Sequence, residues 1–121
     1  MPKKINLEES DILADFLAKL ILKKKGENIK VLDLREITPV ADFFIICTAS
    51  SNVHSKAIAD NLILESKKKN VKPWHNEGYS NLSWVLLDYV DVVVHIFLEE
   101  TRKFYNLEGL WADAKISTVQ D

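Results

Sequence analysis

The chain lacks most of what would mark a secreted, membrane-bound or cofactor-dependent protein. It carries one cysteine, Cys47, in 121 residues, so no internal disulfide forms and the composition fits a reducing cytosol. Its three glycines are scattered, and none belongs to the Gly-rich run that wraps a phosphate in a P-loop or dinucleotide site. No apolar segment approaches the roughly 20 residues of a membrane span. The start, Met1-Pro2-Lys3-Lys4, leads into no apolar block long enough for a signal peptide. Glu8, Glu9 and Asp11 argue against an organellar transit peptide, which leaves a bacterial cytoplasm as the expected location. Positive charge is also short. A net charge of −2 is the wrong sign for a protein whose affinity rests on neutralising many phosphates, so sequence-specific nucleic-acid binding is not expected. Internal repeats and low-complexity stretches are absent.

What remains is a composition 47% hydrophobic, ample for a single domain over residues 1–121 with an ordinary core. Ile12, Leu13, Phe16, Leu17, Leu20 and Ile21 recur at helical spacing and predict a helix over 10–25, with Ser10 as its N-cap. Lys23-Lys24-Lys25-Gly26 closes it. A short strand follows at 29–34, then a loop around Pro39. A second strand at 43–47 is apolar on both faces and so belongs in the middle of a sheet. Thr48-Ala49-Ser50-Ser51-Asn52 turns the chain into a second helix over 53–69, which ends on Lys67-Lys68-Lys69. Both lysine triplets read as solvated helix ends. Residues 71–75 form a weaker strand, demoted to an edge by Pro73. A hairpin occupies 84–97, a short helix 99–105 and a further turn 107–112, and 116–121 is expected to be a loose tail. The predicted class is α/β: a mixed sheet of about five strands, with helices mainly on one face and the other face partly covered.

The hairpin carries the functional signal. With the turn centred on Tyr89 and Val90, residue 87 faces 92 and 84 faces 95. Side chains alternate between faces, so one side holds Val85, Leu87, Val92, Val94 and Ile96 and is all aliphatic core. The other holds Trp84, Leu86, Asp88, Asp91, Val93, His95 and Phe97. Aromatics mixed with acids and an imidazole suit a macromolecular contact. Trp84 and Leu86 would supply desolvated area. Asp88 and Asp91 would accept turn hydrogen bonds and face lysine or arginine on a partner. Glu77 and His95 lie nearby, and Tyr89 reaches over the rim from the loop tip.

Other chemistry is weaker. Thr48, Ser50 and Ser51 sit where an anion binds at a helix N-terminus, yet capping explains them. His54, His75 and His95 show no metal-ligand spacing, so neither metal nor cofactor is expected. Cys47 lacks an activating neighbour and reads as core, and Trp111 as a staple for the C-terminal segment. The enzyme alternative is a small nucleotidyltransferase using Asp88, Asp91 and Asp33 with magnesium; the missing phosphate-holding element argues against it. A homodimeric scaffold pairing the mixed face with itself is a second alternative.

Leu32-Asp33, Asp42-Phe43-Phe44-Ile45-Ile46-Cys47-Thr48, Ser50-Ser51, Glu77-Gly78, Trp84 through Tyr89 and Asp91 through Phe97 together resemble the ribosomal silencing factor family, the Iojap-related proteins. Glu100, Arg102, Phe104-Tyr105, Leu107-Glu108 and Leu110-Trp111 extend the likeness, which spans roughly residues 8–114. Val90 stands where that family commonly has glycine, and Ala49 likewise follows the threonine where a glycine is usual. The resemblance implies a nucleotidyltransferase-like α/β fold without transferase activity. It also implies binding to the large ribosomal subunit through universal large-subunit protein fourteen, on the face that meets the small subunit. A protein seated there would block subunit joining and act as a translational repressor. The residues expected at that contact are Glu77, Trp84, Leu86, Asp88, Tyr89, Asp91 and His95.

Overall fold

A computed structural model describes residues 6–121. Along the chain run α1 (Ser10–Lys23), β1 (Glu27–Asp33), β2 (Phe43–Ala49), α2 (Asn52–Lys68), β3 (His75–Glu77), β4 (Trp84–Asp88), β5 (Val92–Leu98), α3 (Glu99–Tyr105), α4 (Leu107–Leu110) and β6 (Lys115–Val119). The strands form one mixed sheet in the order β3-β4-β5-β2-β1-β6. Only β2 and β5 are parallel; β1 with β2, β1 with β6, β3 with β4 and β4 with β5 are antiparallel.

In the central pair β2 is apolar on both faces through Cys47, as the run at 43–47 predicts, and every residue of β2 is buried. On one face α1 and α2 cover Phe43, Ile45, Cys47, Val85, Leu87, Val94 and Ile96 with Leu17, Ile21, Ile58 and Leu62. On the other, Leu32, Leu34, Phe44, Ile46, Val93 and Phe97 make a smaller core, flanked by Trp84, Leu86, Leu107 and Trp111. The two longer helices thus share a face, and the short α3 and α4 partly close the opposite one.

Several boundaries differ from expectation. Ser10 does not cap α1. Glu9 is the cap residue and makes no side-chain bond, while the Ser10 hydroxyl donates to Asp42 at 2.6 Å. Ser51 does cap α2, accepting from the His54 amide at 3.1 Å. His54 is half-buried: its Nδ1 accepts from the Ser50 amide at 2.9 Å and its Nε2 donates to the Lys24 carbonyl at 2.7 Å, joining the ends of two helices. The weak strand begins after Pro73 rather than spanning it, because a residue without an N–H does not extend the ladder; Trp74 makes the first bond, to the Asp88 carbonyl. The loose tail is a correction. Residues 115–119 form the sixth strand, laid antiparallel on β1 with Ile29 opposite Val119 and Asp33 opposite Lys115.

Candidate docking surface

The hairpin turns one residue later than predicted, which shifts the pairing across it by two. Trp84 faces Phe97, Leu86 faces His95 and Leu87 faces Val94. A slip of two residues preserves side-chain parity, so both predicted faces survive. Tyr89 joins the ladder, its amide donating to the Val92 carbonyl at 2.8 Å, and the tip is Val90-Asp91. The Asp91 amide returns to the Tyr89 carbonyl at 3.0 Å, a three-residue γ-turn with Val90 at φ 76°. The Asp88 carboxylate accepts the Val90 amide at 2.7 Å, the turn bond expected of it.

This slip relocates Tyr89. As the residue after Leu87 on the same strand face, it points into the aliphatic core, is 7% exposed, and bonds the Ser66 hydroxyl at 2.9 Å. Burial raises its phenol pKa. Tyr89 therefore does not reach over the rim, which corrects its expected place in the contact. His95 is corrected too. It is 3% exposed, packed edge-on to Phe44 at 4.7 Å between ring centroids. Its Nδ1 accepts from Trp84 Nε1 at 3.1 Å, leaving the proton on Nε2, which has no partner among the described residues. Burial pushes its pKa down to about 4, so the imidazole is neutral at ordinary pH. It supports Trp84 from beneath, and its burial leaves almost none of the ring on the open face.

The residues that the sheet does gather on one open face are Trp84, Leu86 and Asp88 from β4, all half-buried, with exposed Glu77 opposite Leu86 on β3. Trp84 packs at a tilt against Phe97 and Tyr105, with centroids 4.8 Å apart in each pair. Asp91 lies exposed at the hairpin tip, its carbonyl accepting from Asp42 and Phe43. Among the described residues neither Asp88 nor Asp91 has a cation within ion-pair distance, and Glu77 has only His75, at 3.2 Å.

The three aspartates of the enzyme alternative do not converge. Asp33 pairs with Phe43, on the helix-covered face, and is held by Arg35 at 2.7 Å; Asp88 lies on the other face. Among the described residues no group of three or more His, Cys, Asp or Glu is placed to hold a metal. Cys47 is fully buried core, its thiol pushed up to about 12 by desolvation. Trp111 packs edge-on against Phe44 at 5.9 Å, the staple predicted for it.

Two features carried little signal in the sequence. Arg102 is a buried cation: it donates to Glu108 at 2.7 Å, to the Asn28 carbonyl at 2.7 Å and to Thr48 at 2.9 Å, tying α3 and α4 to the sheet. The spacing Arg102…Glu108 hints at a pair, but its burial becomes visible only once β1 and β2 lie beneath it. Phe104 and Tyr105 continue the aromatic face outward, with centroids 5.0 Å apart.

Fold and surface together define a class: small α/β proteins built on one open mixed sheet, with an aromatic, acid-edged face. Residues 7–121 match the family model described as ribosomal silencing factor during starvation. Over 91 residues the chain is 42% identical to ribosomal silencing factor RsfS of Halalkalibacterium halodurans, covering 75% of this chain and 78% of that one. It is 42% identical over 98 residues to the chloroplastic protein Iojap of Zea mays, covering 81% of this chain and 42% of that longer protein. A crystal structure of a Chromobacterium violaceum protein superposes with a TM-score of 0.83 at 31% identity, covering 93% and 94% of the two chains. The chain belongs to the ribosomal silencing factor family.

Proposed function

We propose that this protein is a cytoplasmic translational repressor that docks on the large ribosomal subunit and blocks joining of the small subunit by occupying the shared face. Its contact there is a ribosomal protein of the subunit interface, universal large-subunit protein fourteen. The observation that carries the reading is the open sheet face itself. Trp84 and Leu86 offer half-exposed apolar area, while Asp88, Asp91 and Glu77 supply carboxylates without lysine or arginine partners among the described residues. Ribosomal proteins are rich in such cations, and complementary charge speeds encounter and fixes orientation. The mechanism is steric and requires no turnover. Family membership, and the silencing named in that family's description, support the same reading.

The test is gradient co-sedimentation with separated ribosomal subunits. The wild type is expected in the large-subunit fractions and absent from the small-subunit fractions. Glu77→Lys with Asp91→Lys reverses two exposed charges, so it keeps the wild-type circular dichroism and leaves the large-subunit peak. Trp84→Ala is a poorer probe, because that indole is bonded to His95 and packed against Phe97. Absence of the wild type from large subunits, or full retention of the double charge reversal, defeats the proposal.

A further inference from the structure

The aromatic face does not stop at the edge of the sheet. From Phe97, wholly buried, the rings pass to Trp84 at 4.8 Å, to Tyr105 at 4.8 Å and to Phe104 at 5.0 Å. Exposure rises along the series, reaching 51% at Tyr105 and 80% at Phe104. No part of the described chain covers the outer two rings. They are nonetheless held in place: Tyr105 ends α3, whose Arg102 is bonded to both Asn28 and Thr48, and Tyr105 lies on an indole that is itself hydrogen-bonded. A large apolar ring presented on a fixed mount loses little conformational freedom on contact, which is how an anchor residue acts.

We propose that the docking surface extends from β4 onto α3, with Phe104 and Tyr105 as its apolar anchor and a basic protein as its occupant. This rests on the reading that the face meets a large-subunit protein. The occupant offers an apolar depression for the two rings and, beside it, lysine or arginine for the acids. On β4 the alternate residues Trp84, Leu86 and Asp88 share the face with Glu77, so one strip leads from packed rings to carboxylates without lysine or arginine partners among the described residues. That charge disfavours nucleic acid and anionic membrane. It also disfavours a second copy that sets acid against acid.

The experiment titrates full-length wild type, Phe104→Ser and Val53→Ser against purified large subunits. Val53 is 79% exposed on α2, the helix covering the opposite face, and controls for loss of an exposed apolar side chain. Both variants should melt with the wild type. Phe104→Ser is expected to bind at least tenfold more weakly and Val53→Ser unchanged. If the wild type binds and Phe104→Ser binds equally well, the anchor is overturned while the ribosomal reading stands. If the wild type itself does not bind, that reading has failed. Sedimentation velocity supplies the remaining arm: a wild-type dimer dissolved by Phe104→Ser, with subunit binding intact, assigns the rings to self-contact and also overturns the proposal.

Discussion

At the scale of single residues, Val90 and His95 each sit in a position that costs stability. Val90 holds φ 76°, a region that β-branched side chains resist, and its exposed side chain recovers little by packing. Glycine adopts this conformation without strain. Val90→Gly is therefore expected to raise unfolding free energy by about 1 kcal/mol, read as a higher urea midpoint with unchanged slope. His95 is held neutral by burial, its pKa down to about 4 against about 6.5 in an unfolded chain. As pH falls, the unfolded state takes the proton first. The stability tied to the neutral imidazole is whole above about pH 6.5 and is lost as pH falls toward 4, roughly 3 kcal/mol in all. His95→Gln keeps an acceptor for Trp84 but cannot titrate in this range. The difference between wild type and variant, from urea unfolding at pH 7 and pH 4.5, should shrink or reverse by most of that amount.

Among elements, the division between what was legible and what was not follows burial. The apolar stripe of α1 and the unbroken hydrophobic run of β2 announce themselves, because each is shaped by the core it enters. The two faces of the hairpin were equally plain, since alternation survives a slip of two residues. That same tolerance hid the register and so misplaced Tyr89, whose direction depends on where the strand ends. β3 is exposed throughout and β6 nearly so. They owe their order to backbone bonds with β4 and β1, which leave no apolar pattern to read. The α3–α4 segment is a third case: a cation holds it. Breaking a buried pair from one side leaves polar groups unsatisfied. Because Glu108 is partly hydrated, Arg102→Met is expected to cost about 3 kcal/mol, at the lower end of that effect. Hydrogen exchange should show α3 losing protection before β2 and β5; uniform protection would assign the hold to ring packing instead.

For the whole molecule, an acidic surface on a chain of net charge −2 makes binding sensitive to ionic strength. Exposed charges interact over about 8 Å at physiological salt, so Asp91→Asn should slow association with large subunits several-fold at low salt and flatten its salt dependence, with dissociation little changed. Stopped-flow measurements at two salt concentrations check this. The middle of the sheet imposes a different constraint. Phe43 lies beside Val92 and Ala49 beside Leu98, so β2 finds its parallel neighbour only after some fifty further residues have been made. Until then a seven-residue stretch with no solvated side waits beside β1 alone, the sort of segment that invites aggregation. During synthesis the last hairpin is thus the closing piece, and a nascent chain cut short before it carries its stickiest strand half-covered.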